Sequence, residues 1–247
     1  MPIVNLDNVS RIAAEFGEVM AFQGPGFEWS RPFIPAYDPA TVAWFDLRDE
    51  STFETSGLEV ISVGNKIAGS GVAMRNDSGI DRFSVGGSLN GGAAVEAYGD
   101  YMEITGLPTP MTLNIFVGGR YLNASGNGSF IGDLNNTYLP IGQPGSSNTN
   151  LIRIGGANDP AGVKLLFDGE TEQSVTTRGQ AFTKLNTSNL MSLIGAAYDY
   201  SFGLRLGRAA GGFDQDGVFS GVTIVAGAMT PEQIARHVSY YQRVDNW

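Results

Sequence analysis

The clearest period-two run in the chain is Met111-Thr-Leu-Asn-Ile-Phe-Val117, which puts Met111, Leu113, Ile115 and Val117 on one face of a strand. Shorter runs of the same kind fall at residues 41–46, 58–63, 93–97, 101–104, 151–154, 163–167, 174–177, 191–197, 202–206 and 219–226. Between them lie clusters such as Gly86-Gly87, Asn90-Gly91-Gly92, Asn127-Gly128 and Gly145-Ser146-Ser147-Asn148, residue types that accept tight-turn backbone angles. Many short strands joined by turns, with no helices between them, predict an all-β protein, a sandwich or a barrel.

One helix is marked at the C-terminal end. Thr230 is an N-cap, Pro231 occupies the first helical position, and Gln233 completes a Thr-x-x-Gln capping box. Ile234, Val238 and Tyr241 then recur at helical spacing, so one stripe packs on the sandwich.

The beginning of the chain has a different texture. Residues 12–16 and 19–22 flank Gly17-Glu18 and read as a short β-hairpin, with a short helix over 12–20 as the alternative because Ala13, Ala14 and Glu15 favour one. Gly24-Pro25-Gly26 and then Pro32, Pro35 and Pro39 follow, a density that stiffens a connection and keeps it out of central strands. Residues 1–40 are therefore expected to be an attachment segment with a proline-rich linker, and 41–247 the sandwich domain. Phe27, Trp29, Phe33, Ile34 and Tyr37 in this segment suit docking on a partner protein.

Composition narrows the function. Only 16% of the 247 residues are charged, against about 25% in an average soluble protein, and 34 are glycine. The net charge of −10 argues against nucleic acid and anionic membrane surfaces, which select basic clusters. The absence of cysteine removes disulfides, thiolate metal sites and cysteine nucleophiles together. No run approaches the ~20 apolar residues of a membrane span, and MPIVNLDNVSR lacks the charged start and apolar core of a signal peptide. The expectation is a protein without membrane insertion that acts in the cytoplasm or leaves the cell inside a larger particle.

Candidate chemistry is sparse, and no catalytic residues are assigned. His237, the single histidine, lies inside the terminal helix and reads as a helix-surface or helix-packing residue. Asp168, Glu170 and Glu172 have the i, i+2, i+4 spacing of a glycosidase strand, but Gly169 and the missing apolar alternation make the segment a solvated hairpin tip. Calcium is the one cofactor worth carrying: Asp214 and Asp216 precede Gly217, with Asn76, Asp77 and Asp81 as a second set. Asp and Gly are also what any turn prefers, and the turn is the stronger reading.

With these elements placed, the chain resembles concanavalin A-like (LamG-type) jelly rolls of bacterial and phage surface proteins, a resemblance that implies a two-sheet antiparallel jelly-roll sandwich. The resemblance rests on Val42-Ala-Trp44-Phe-Asp46 with Glu50-Ser-Thr52-Phe53, on Asn65-Lys66-Ile67-Ala68-Gly69 where the family has Asp-Lys-Ser-Gly, and on Asn90-Gly91-Gly92. Towards the end it rests on Leu206-Gly207-Arg208, on 217–225, and on Met229-Thr230-Pro231-Glu232. Ile12, Phe16, Gly17 and 19–22 are similar to hairpins that begin tailed-phage and gene-transfer-agent virion proteins.

The resemblance implies a non-enzymatic virion spike or fibre protein, homo-oligomeric, anchored to other virion proteins through its N-terminus and binding a host surface glycan with its jelly roll. Sugar binding needs aromatic faces flanked by planar hydrogen-bonding groups. The loop residues offering these are Tyr121, Asn123, Asn127, Tyr138, Asn148, Tyr198, Tyr200 and Phe213. A purely structural decoration or assembly protein is the alternative, and a polysaccharide-degrading enzyme is kept by fold analogy alone.

Overall fold

The computed structural model describes residues 32–109, 111–122, 128–132, 138–139, 142–154, 157–169, 175–198, 203–209, 213–214 and 216–247. The expected N-terminal hairpin, Phe27 and Trp29 lie outside them. Among the described residues the strands are β1 (Thr41–Asp46), β2 (Phe53–Ser56), β3 (Glu59–Val63), β4 (Ala73–Arg75), β5 (Ser84–Leu89) and β6 (Gly92–Tyr98). They continue with β7 (Met102–Thr105), β8 (Met111–Tyr121), β9 (Ile131–Gly132), β10 (Tyr138–Leu139), β11 (Arg153–Ile154) and β12 (Ala157–Asn158). The last six are β13 (Lys164–Phe167), β14 (Leu190–Tyr198), β15 (Leu204–Leu206), β16 (Arg208–Ala209), β17 (Phe213–Asp214) and β18 (Asp216–Ala226).

Sixteen of these form one antiparallel sheet in the order β12-β11-β10-β9-β15-β7-β4-β3-β5-β6-β18-β8-β14-β13, with β1 beside β18 and β2 beside β3; β16 and β17 pair separately. The expected two sheets are two layers of one curled sheet, as in a jelly-roll sandwich. The joint is β18. Its first half pairs with β6, its second half pairs with β1, and β8 runs along its other side throughout. A register shift between Phe219 and Gly221 marks the bend.

Alternation then decides which side chain enters which layer. Ala43 and Phe45 of β1, Leu113, Ile115 and Val117 of β8, and Val222 and Ile224 of β18 point into the main core. Their neighbours Trp44, Phe116 and Val225 point the other way into a second core, where Val238, Tyr240 and Tyr241 of the helix Pro231–Val244 cover them. Both faces of these strands are thus buried, which is why β8 and β18 read as nearly continuous apolar runs. Met111, at the start of β8, remains 37% exposed.

The terminal helix begins on the expected capping box of Thr230 and Gln233. Its buried stripe is wider than Ile234, Val238 and Tyr241, because His237 and Tyr240 are buried as well. A second helix, Arg178–Thr187, corrects the reading of an uninterrupted strand series. It carries the same kind of capping box, Thr177 with Gln180, and turns Ala181, Phe182 and Leu185 into the main core. Residues 175–177, expected to end a strand, lead into this helix instead.

Residues 33–40, which precede the expected start of the sandwich at 41, pack on its second core. Phe33, Ile34 and Ala40 pack against the second core, and Arg243 Nη2 donates a 2.7 Å hydrogen bond to the Phe33 carbonyl. Thr41 Oγ1 donates to the Pro35 carbonyl at 2.8 Å, fixing a short 3-10 turn over Pro35–Tyr37. Residues 33–40 form a strap across the helix and belong to the domain. Phe33 and Ile34 are partly buried against the second core, and Tyr37 is 46% exposed.

Candidate functional site

Three groups of polar residues need an account: a buried pair, a set of asparagine-centred loops, and the outer face of the β2–β3–β4 layer. The buried pair is Asp38 and His237. His237 Nε2 lies 3.3 Å from Asp38 Oδ2, with the imidazole stacked on Phe116 and edge-on to Phe33 at centroid distances of 4.9 Å. Burial pushes the imidazole pKa below its ordinary value despite the carboxylate. The histidine is fully buried, so the pair fastens strap to helix and offers no surface to a substrate. Of the two readings of His237, helix surface and helix packing, the structure has the second.

A second buried ionic group closes the helix's far end. Arg48 donates to Asp46 Oδ1 and Tyr240 Oη, each at 2.7 Å, and reaches Asp245 Oδ1 at 3.4 Å. Asp245 is also the acceptor for Ser220 Oγ at 2.8 Å. Desolvation raises the Asp245 pKa to about 6, the arginine only partly opposing it.

The loops that suggested cations are organised by asparagine amides. Asn76 is 1% exposed, and its Nδ2 donates to the carbonyls of Ile80, Asp81 and Tyr101 while its Oδ1 accepts from Ser78. Asp77 is paired with Arg75 at 2.6 Å and Asp81 with Arg208 at 3.0 Å. An amide N–H2 thus occupies the position where carbonyl oxygens converge, and the carboxylates turn outward to arginines. Asn65 works in the same way, accepting from the N–H groups of Trp44 and Ile67 and donating to Ser70 Oγ and the Val72 carbonyl. An aspartate could not make those donations, which gives the departure from Asp-Lys-Ser-Gly at its first position a physical reason. Beside it Lys66 lies 5.0 Å from the Trp44 ring centroid and pairs with Asp49 at 2.8 Å.

Asp214 closes β17 opposite Arg208, and Asp216 opens β18 opposite Tyr98. Asp168 accepts from the backbone N–H groups of Asn189 and Leu190 through one oxygen, so it is a structural cap; Glu170 and Glu172 lie outside the described residues. Among the described residues, no group of three or more His, Asp or Glu side chains is arranged to hold a metal ion.

The outer face of β2, β3 and β4 is the exposed candidate. Register places Glu54, Ser62 and Arg75 side by side on it, with the row Phe53, Val63 and Met74 on the opposite, core side. Ser62 Oγ donates to Glu54 Oε2 at 2.9 Å. Gly64 follows β3, and beside it lies a trough of about 400 Å³ bordered by Ser51, Thr52, Glu54, Ser62, Ala73 and Arg75. One carboxylate, one guanidinium and three hydroxyls around an open trough suit a hydroxyl-rich ligand.

A second groove of about 450 Å³ runs between the terminal helix and β13, floored by Leu166, Ile194, Ile234 and Val238. Comparison of the chain with protein-family models and with curated proteins finds no match. The chemistry of the site must therefore be argued from its own residues.

The expected sugar-binding residues scatter. Tyr121 is a core residue: it is 1% exposed and packs edge-on against Phe182 at 5.4 Å, so its ring has no face for a ligand. The reading of it as a loop residue fails because β8 is eleven residues long and reaches position 121. Asn148 is exposed, and its Oδ1 accepts from the Asn150 N–H. Tyr138, Tyr198 and Phe213 have strand backbones, in β10, β14 and β17. Asn123, Asn127 and Tyr200 lie outside the described residues. Glu54, Ser62 and Arg75 were not among the expected residues, because strand register, the signal that unites them, is invisible in a local reading.

Proposed function

We propose that the chain is a non-enzymatic virion surface protein of the spike or fibre kind, whose N-terminal segment anchors it to other virion proteins and whose sandwich binds host cell-surface polysaccharide. The observation that carries the binding half is the trough over β3, open to solvent and lined by Ser51, Thr52, Glu54, Ser62 and Arg75. The hydroxyls, carboxylate and guanidinium on its rim, beside Phe53 and Ala73, can pair with sugar hydroxyls, which both donate and accept. The acidic, lightly charged composition supports the same reading, since it disfavours nucleic acid and leaves uncharged polar groups to make specific contacts.

The acid–base groups support recognition over catalysis. His237 and Asp38 are sealed beneath strap and helix, and Asp245 is held by Arg48 and Ser220. The anchoring half rests on the resemblance of residues 12–22 to virion hairpins. The test is a panel of capsular and lipopolysaccharide glycans presented to the purified protein, together with adsorption of particles that lack it. Binding to one glycan and reduced adsorption are expected. A silent panel with undiminished adsorption would overturn the reading in favour of a structural decoration protein.

A further inference from the structure

The trough is one part of a longer feature. The pairing register that sets Glu54 against Ser62 and Ser62 against Arg75 continues to Glu103 on β7 and Arg205 on β15. It then passes Gly132 on β9 to Tyr138 on β10, Arg153 on β11 and Asn158 on β12. Residues directly opposite one another on neighbouring strands share a face. The row adjacent to it holds Met74, Ile104, Leu204 and, further on, Ile131 and Ile154, all in the main core. From β2 to β15, five strands therefore present one outward row, Glu54, Ser62, Arg75, Glu103 and Arg205, whose members all carry polar groups, with no aliphatic residue interrupting it.

Resting on the polysaccharide reading above, we propose that this row is the track for a single extended, neutral polysaccharide chain lying across the strands. Spacing is the first reason. Neighbouring strands lie about 4.8 Å apart, close to the length of one sugar unit in an extended polymer, so successive units meet successive side chains. From β2 to β15 the row spans four such steps, about 19 Å.

Charge is the second reason. Arg75 is matched by Asp77 at 2.6 Å, and Arg205 donates to Glu103 Oε1 through Nε at 3.1 Å and Nη2 at 2.7 Å. Each guanidinium has five N–H donors, so N–H groups remain for vicinal hydroxyls after the charge has been met. The neighbouring carboxylates have lone pairs for the hydroxyl protons. An anionic polymer would have to displace these partners, whereas a neutral one uses what they leave.

Rigidity is the third. The Arg205 guanidinium lies 4.3 Å from the ring centroid of Tyr101, itself only 9% exposed, and Ser62 is tied to Glu54. Groups already held in place lose little freedom on binding.

The test is affinity electrophoresis of the full chain in native gels containing hydroxyethyl cellulose, dextran, galactomannan or, as the acidic control, alginate. Retardation by at least one neutral polymer is expected, with strength unchanged at ~1 M salt, where the screening length is about 3 Å. Competition by oligosaccharides should grow with length up to about four or five units, the reach of the β2–β15 steps. Ser62→Trp, which fills the trough, and Arg205→Ala should each weaken binding about tenfold or more. Arg236→Ala on the terminal helix should leave it unchanged, and melting curves identify any variant that has lost its fold.

Retardation that persists in both row variants would overturn the track while leaving sugar binding intact. Retardation by alginate alone, lost at high salt, would overturn the neutral class. No retardation by any polymer would overturn the track and count against the reading on which it rests.

Discussion

Asp38 and His237, 199 positions apart in sequence, meet at 3.3 Å beneath Phe33 and beside Phe116, and so join the strap of residues 33–40 to the terminal helix. Because burial lowers the imidazole pKa below 6.5, the folded protein resists a proton that the unfolded chain accepts. Stability is fully present above the unfolded value and falls as pH drops below about 6.5. Asp245 works in the opposite sense. Its folded pKa of about 6 exceeds 3.8, so between those values the native state binds the extra proton and stability rises as pH falls. His237→Gln should flatten the first slope and Asp245→Asn the second, each measured as the pH dependence of the denaturation free energy. Unaltered slopes in both variants would show that these groups are not shifted.

The same contact makes a prediction about truncation. A chain starting at Pro32 keeps Phe33, Ile34 and Asp38, while one starting at Thr41 loses all three and uncovers His237. Partial burial of the two apolar side chains is worth up to about 3 kcal/mol, and the Asp38–His237 contact adds to it. Chemical denaturation of the two chains should separate them by about that amount, the shorter one melting lower. Equal midpoints would mean that the strap is a passive linker.

Asn76 offers a sharper test of how the loops are held. Its Nδ2 serves three carbonyls, those of Ile80, Asp81 and Tyr101, from a position sealed off from water. Asn76→Asp preserves shape and removes the donors, leaving buried oxygens facing one another. A loss of about 2–4 kcal/mol is expected, read from urea midpoints at constant slope. A neutral outcome would place the loop's stability elsewhere.

These examples show which parts of the molecule local pattern could reveal. The alternation of Leu113, Ile115 and Val117 and the Thr230 capping box are properties of neighbours in sequence, and both were readable. The helix Arg178–Thr187 carried the same type of box at Thr177 and Gln180, yet its single turn of apolar residues, Ala181, Phe182 and Leu185, is too short to stand out from a strand series. Tyr121 was misplaced for a related reason: a polar, glycine-containing end, Gly118-Gly119-Arg120, hides the continuation of β8. The outer row from Glu54 to Arg205 depends on register between strands distant in the chain, so no local window contains it.

The closest approach of helix to sheet supplies a last prediction. A Cβ built on Gly118 would fall 2.7 Å from the Tyr241 ring and would also collide with Ser220 Oγ. Tyr241 is fully buried there and shares a 3.0 Å hydrogen bond with Thr223 Oγ1. Gly118 is thus required by the ring that lies on it. Gly118→Ala should cost about 1–3 kcal/mol through overpacking. Tyr241→Leu should cost a similar amount for a different reason, the loss of the ring and its hydrogen bond. If the two act through one contact, the double variant must be more stable than the sum of the single losses, because the smaller side chain leaves room for the added methyl. A double-mutant cycle by urea denaturation measures that coupling. Strict additivity would show that Gly118 is required for some reason other than the ring of Tyr241.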